Sequence, residues 1–192
     1  DYLLAKELND TLRIHEFSKH LFHYPDYIEV KLQYIIKYKY NGIILRGKID
    51  FLVINHKDKT IKIIDLKTGQ YKSQDFKYKL LEYRYYLQEA VYKKAEQYIK
   101  NDLGLQEYKL LPFEFLYISR NEKLPLIYEV PKKWSKAAVK GFTWGMYYYR
   151  GLDELIEEIK WHINNNVYDL QKDVYENKGR IILDSNLINI NE

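Results

Sequence analysis

Cysteine is absent from the 192 residues. That excludes a disulfide framework, a thiolate zinc site and a cysteine-ligated iron–sulfur cluster. A reducing cytosol is compatible with this composition. No apolar run approaches the roughly 20 residues a membrane span needs, so no membrane partner is expected. No signal-peptide pattern opens the chain. It begins with Asp1 rather than Met, and further residues are expected upstream. A glycine-rich phosphate loop is missing too, which argues against an ATP motor. Internal repeats, linkers and low-complexity segments are also lacking.

What is present suits a folded protein. Hydrophobic residues make up 46% and charged residues 30%, a soluble globular composition. The length fits a single domain over 1–192. The net charge is +4, which permits a polyanionic partner without demanding one. The bias is sharper locally: positions 57–79 hold seven lysines, Lys72 among them, against Asp58, Asp65 and Asp75.

Residues 1–23 carry leucines at helical spacing until Pro25 intervenes. Residues 27–40 alternate as a strand, from Ile28 to Tyr40, with Glu29 on the opposite face. Asn41-Gly42 is a strong hairpin turn. Strands are expected over 43–54 and 60–66, joined by the polar turn 55–59. The three make an antiparallel meander. After a basic loop over 70–77, the pattern predicts one long helix over 78–101. Short strands follow at 113–119 and 126–130, then helices at 135–150 and 152–165. The order reads as an α/β (α+β) fold with a core over about 27–130 and a C-terminal helical extension over about 131–192.

The chemistry concentrates at Asp65-Leu66-Lys67. Residues two apart in a strand share a face, so Asp65 and Lys67 emerge side by side from the floor made by Ile61 and Ile63. The preceding strand carries Arg46-Gly47-Lys48-Ile49-Asp50. A hairpin centred on 57–58 sets Asp50 opposite Asp65, with backbones roughly 5–6 Å apart. Two carboxylates so close repel unless a cation separates them. They are either a surface pair relieved by Lys48 or Lys67, or a magnesium or manganese site, because hard cations take oxygen donors. Gly47 lets a bulge form or another backbone come close. Arg84, Gln88 and Tyr92 lie four apart, on one helix face, able to grip a phosphodiester or fix a carboxylate. The 21 tyrosines include clusters at Tyr83, Tyr85, Tyr86 and Tyr147 to Tyr149. They either cover the core, the preferred reading, or stack on unpaired bases.

Taken in order, Gly47-x-x-Asp50, Asp65-Leu66-Lys67-Thr68-Gly69 and Gln88-x-x-x-Tyr92 resemble the PD-(D/E)xK nuclease superfamily. The nearest likeness is to its RecB-type branch, which includes phage-type recombination exonucleases such as exonuclease VIII and lambda exonuclease. The resemblance covers about a third of the chain. It implies a restriction-endonuclease-like core and an Mg²⁺- or Mn²⁺-dependent deoxyribonuclease, an exonuclease of recombination or repair in the cytoplasm of a bacterial or phage-infected cell. By the same resemblance Asp50, Asp65, the Leu66 carbonyl and Glu29 would hold metal, and Lys67 would activate the attacking water. Gln88 and Tyr92 would hold DNA and support the site, with Arg84, Arg46 and Lys72 as further DNA contacts. A single-strand annealing protein and a homo-oligomer are the partners it implies beyond DNA. Other readings are an inactive DNA- or protein-binding module and a sequence-specific endonuclease. RecB-type members also carry a histidine after a glycine on an N-terminal helix. His15, His20 and His23 follow no such glycine, leaving residues before Asp1 as its other place.

Overall fold

The computed structural model describes residues 2–181. In chain order the elements are α1 (Tyr2–Ile14), β1 (Ile28–Tyr40), β2 (Ile43–Asn55), β3 (Thr60–Gly69), α2 (Phe76–Glu82), α3 (Tyr85–Lys94), α4 (Glu96–Leu103), β4 (Lys109–Leu110), β5 (Glu114–Ser119), β6 (Pro125–Glu129), α5 (Lys132–Lys140), β7 (Phe142–Trp144), β8 (Tyr147–Tyr149), α6 (Leu152–Asn165) and α7 (Lys172–Glu176). The main sheet runs β1-β2-β3-β5-β6, with β4 also on β3. Its outer pairs are antiparallel, while β3 pairs in parallel with β4 and β5. It is a mixed, mostly antiparallel sheet with helices on both faces.

Strand alternation sorts the core into layers. Ile61 and Ile63 of β3 face Phe76, Leu80, Tyr92 and Ile99 of α2, α3 and α4. Ile64 of β3 and Leu116 and Ile118 of β5 face Leu8 and Leu12 of α1. A third cluster joins α3 to α5, α6 and the β7–β8 hairpin through Tyr86, Ala90, Ala138 and Ile156.

The meander forms as the turn chemistry predicts. Asn41 (φ 46°) and Gly42 (φ 92°) both take left-handed conformations, as a two-residue primed turn requires. Four expectations need correction. The first helix stops at Ile14 rather than reaching 23, and the Ser18 hydroxyl donates to the Leu12 carbonyl at 2.7 Å, satisfying a helix end. β3 runs on to Gly69 because β5 supplies a parallel partner out to Ser119. The helix expected over 78–101 is three helices. Arg84 turns left-handed (φ 54°) between α2 and α3, and the Ala95 amide is shared by the Val91 and Tyr92 carbonyls where α3 meets α4. The helix expected over 135–150 ends at Lys140. Phe142 to Tyr149 form a hairpin instead, with Gly141 (φ 90°) and Gly145 (φ 60°) at its bends. The extension expected over 131–192 lies partly outside the described residues. Among the described residues no helix is long and apolar enough to cross a membrane.

Candidate active site

The site lies where the regular ladder fails. β1 and β2 pair continuously from Ile28↔Asn55 to Tyr40↔Ile43, skipping only Gln33 and Asp50. β2 and β3 pair from Asn55↔Thr60 to Phe51↔Ile64. That is the register the hairpin arithmetic requires, and it stops one step short of Asp50 and Asp65. Beyond it β3 leaves β2 and follows β5. Asp50 is therefore the one residue of β2 with no ladder partner on either side. The face of β2 also switches there. Ile49 and Leu52, three apart, both enter the core beneath α2 to α4, which strict alternation forbids.

Freed from the ladder, Asp50 is held by side-chain bonds. Its Oδ2 accepts the Leu66 backbone N–H at 2.9 Å. Its Oδ1 accepts the Gln33 side-chain amide at 2.7 Å. Gln33 sits at φ 53°, a left-handed conformation inside a strand. Such a conformation costs an ordinary residue about 1–2 kcal/mol and marks a position the surroundings over-determine. Sequence reasoning missed Gln33, since nothing local to it announces a left-handed backbone.

Asp65 is 1% exposed. Its Oδ1 accepts the Gln88 amide at 2.6 Å, and its Oδ2 meets the Lys67 ammonium and has no other partner. Burial pushes the Asp65 carboxyl above the ordinary carboxylate range. The Lys67 ammonium pulls it down and the neighbouring Asp50 charge pushes it up. Gln88 also donates to the Tyr92 hydroxyl at 3.0 Å, and that hydroxyl donates to the Lys48 carbonyl at 2.8 Å. The chain Asp65–Gln88–Tyr92–Lys48 thus ties α3 to both acidic strands. Gly47 is explained here: a Cβ on it would stand 2.7 Å from Cε1 of the Tyr92 ring. An aromatic ring, not a backbone, occupies the space.

The remaining expected residues are placed as follows. Gln88 is half-buried and Tyr92 is 5% exposed, and both side chains are engaged within the protein, the supporting part of the role expected of them. Arg84 is exposed and lies at the α2–α3 break, outside the helix that carries Gln88. Arg46, on β2 opposite Lys37, and Lys72 are exposed. Glu29 is not brought to the carboxylate pair. It faces Ile54, four positions from Asp50 along β2, which is about 13 Å at strand rise. It is paired with Lys31 at 2.6 Å and His56 at 3.3 Å. The α1 residues lining the cleft beside Asp50 are Asn9 and Arg13, not a histidine.

The donor set is all oxygen and contains two carboxylates. Among the described residues no group of three or more His, Cys, Asp or Glu could share a metal. Magnesium is commonly held by one or two carboxylates with waters completing its shell. A buried Asp65 oxygen with only Lys67 beside it, next to a second carboxylate, fits such an ion.

With this geometry in place, three comparisons are informative. The model of the PD-(D/E)XK nuclease superfamily matches residues 2–157. The crystal structure of an exonuclease candidate from Eubacterium rectale superposes with a TM-score of 0.55 at 17% identity, covering 95% of this chain and 62% of that one. The present chain thus spans less than two thirds of that protein, and at this identity the likeness concerns the fold. No curated protein matches.

Proposed function

Because the chain belongs to the PD-(D/E)XK nuclease superfamily, we propose that it is a divalent-metal-dependent deoxyribonuclease acting through Asp50, Asp65 and Lys67. The observation that carries this reading is the fork between β2 and β3, which leaves Asp50 without ladder partners beside a buried Asp65 already charge-paired with Lys67. A structural ion pair has no need of a second carboxylate at that position, whereas an oxygen-donor cation site does.

Asp50, Asp65 and the Leu66 carbonyl would hold Mg²⁺ or Mn²⁺. When bound, the ion supplies Lewis-acid polarisation of a phosphodiester and lowers the pKa of an attacking water. The protein's own groups do the rest. Lys67 orients that water and offsets charge developing on the phosphate. Gln88 fixes the Asp65 rotamer and Gln33 the Asp50 rotamer. Tyr92 clamps the β2 backbone at Lys48, so both carboxylates are set before substrate arrives. Exonuclease action is the preferred form: the Gln88-x-x-x-Tyr92 pair resembles the RecB-type branch, and a structural neighbour carries an exonuclease name. Such an enzyme would serve DNA recombination or repair.

The test is cleavage of linear and circular DNA with Mg²⁺, Mn²⁺ or a chelator. Metal-dependent loss of linear DNA is expected, and Asp65→Ala and Lys67→Ala are expected to abolish it with circular dichroism unchanged. Unaltered cleavage by either variant, or DNA binding with no metal-stimulated cleavage by the wild type, overturns the reading. Faster cutting of circles would mark an endonuclease.

A further inference from the structure

Beyond Lys67 the protein opens into a second cleft of about 590 Å³, whose lining does not include Asp50. Its walls carry Tyr71, Tyr83 and Tyr85 together with Lys67, Lys79 and Arg120. The three tyrosines form a file of rings. Centroids are 6.5 Å apart from Tyr71 to Tyr83 and 5.6 Å apart from Tyr83 to Tyr85. The file ends at the candidate catalytic lysine, whose Nζ lies 4.7 Å from the Tyr85 ring centroid. At the outer end Tyr71 is 39% exposed and Tyr83 47%. The file is braced: the Tyr71 and Tyr83 hydroxyls share a hydrogen bond at 2.8 Å, and Lys79 stands 4.1 Å from the Tyr71 centroid.

Core packing does not account for this arrangement. Phe76 and Tyr117 form the cleft's floor and are each 2% exposed, so the core is already sealed beneath the outer rings. Tyr71 and Tyr83 are exposed as adjacent rings rather than singly, and contiguous exposed aromatic surface marks a contact site. The lining contains no carboxylate. Lys79 is neutralised by Glu82 at 2.5 Å, while Arg120 has no ion-pair partner among the described residues. The chemistry offered is therefore aromatic faces with cationic charge, continuous with the site that would receive a phosphodiester. Stacking of this kind is open only to a base whose own faces are free. Bases inside a duplex are stacked on their neighbours, and a base must leave that stack to meet a side-chain ring.

We propose that this cleft receives unpaired nucleotides of a single-stranded DNA end, with bases stacked on Tyr71 and Tyr83 and the backbone led by Arg120 toward Lys67. The inference rests on the nuclease reading for the identity of the polymer and adds the strand state that the site selects. It assigns Tyr71 and Tyr83 to substrate selection and Lys67 to both cleft and chemistry.

The probe is fluorescence anisotropy in chelator, with a short labelled oligothymidylate and a blunt hairpin duplex of similar length. Stacking contributes on the order of 1–3 kcal/mol per base, roughly a 5- to 150-fold change in affinity. The Tyr71→Ala/Tyr83→Ala variant, which removes both platforms, should lose at least that factor on the oligothymidylate and less than about 2-fold on the duplex. Tyr71→Phe/Tyr83→Phe, which keeps the rings and drops the hydroxyls, should bind as the wild type does. Tyr83→Trp supplies a measurement independent of the alanine variant's folding. Its added fluorescence should be quenched by oligothymidylate and not by the hairpin. Equal losses on both probes, unchanged oligothymidylate affinity, or an unquenched Trp overturns the proposal. Metal-dependent cleavage by the wild type is measured in parallel. Cleavage with no stacking loss removes the cleft assignment alone. A selective stacking loss with no cleavage keeps the cleft and removes the nuclease reading.

Discussion

Replacing Asp65 by Asn should make the metal-free protein more stable and the metal-loaded protein less stable than the wild type. Asp65 is 1% exposed, and its carboxyl titrates above the ordinary carboxylate range because of burial, with the Asp50 charge adding to the effect against the pull of Lys67. A raised folded-state pKa means that the fold disfavours the ionised form. The resulting cost is fully present above the folded pKa and gone below the unfolded value near 4. Neutral Asn removes it. Replacing both members of a buried ionic pair by uncharged groups is often neutral or stabilising by about 1–4 kcal/mol, whereas removing one member costs about 3–5 kcal/mol when the other stays buried. Here the two effects oppose each other and the gain stays below about 1 kcal/mol, because Lys67 loses its partner but is not fully buried. Its side chain is 17% exposed and retains the Tyr85 ring face. For a protein of this size that is a rise of at most roughly 4 °C in thermal midpoint. Metal acts the other way: at a hundred times its Kd it stabilises the wild type by about 2.7 kcal/mol, and the Asn variant gains little. Differential scanning fluorimetry in chelator and in Mg²⁺ should therefore show the order of the two midpoints invert. The chelator gap should also close as pH is lowered through the raised Asp65 pKa. A variant less stable than the wild type in chelator at neutral pH, with no inversion in Mg²⁺, would refute the reasoning and make Asp65 a structural ion-pair partner.

Gln33→Ala and Gln33→Gly both remove the amide from Asp50, so both should lose cleavage alike. Gly suits the left-handed backbone, so it should melt above Ala by about 1–2 kcal/mol; wild-type cleavage by Gln33→Ala would show that Asp50 needs no such support. Gly47→Ala places a methyl 2.7 Å from the Tyr92 ring; it should cost about 1–3 kcal/mol in chemical denaturation and lower cleavage by shifting the Tyr92–Gln88 brace. Glu89 is fully buried on α3, its Oε1 bonded by Ser135 at 2.6 Å and its Oε2 without a partner. Burial raises its carboxyl above the usual range, so the ionised form weakens the fold above that pKa. Glu89→Gln should therefore flatten the decline of thermal midpoint from acid toward pH 8, and a variant that declines as the wild type does would clear Glu89 of that role.

The sequence made some features of this site readable and hid others, and the division follows local chemistry. Asn41-Gly42 fixes one turn, and the offset of the next hairpin follows from loop length alone, so facing positions for Asp50 and Asp65 could be read before any coordinates. The helix breaks could not. The apolar stripe of 78–101 resumes at Leu87 beyond Arg84 and continues through Ala95, and a left-handed arginine is chosen by packing between α2 and α3, not by propensity. The β7–β8 hairpin hid behind an aromatic run that also suits a helix, although Gly141 and Gly145 were its available signals. Gln33 is the instructive case. Pattern reading detects regularity, and β1 reads as an uninterrupted strand across Gln33. Yet the geometry of the carboxylate pair depends on regularity failing there, because a continuous ladder would commit the Asp50 backbone to both neighbours and close the fork. The acidic residues carry their chemistry in their identity. The residue that aims one of them carries it in a backbone conformation that only the assembled sheet imposes.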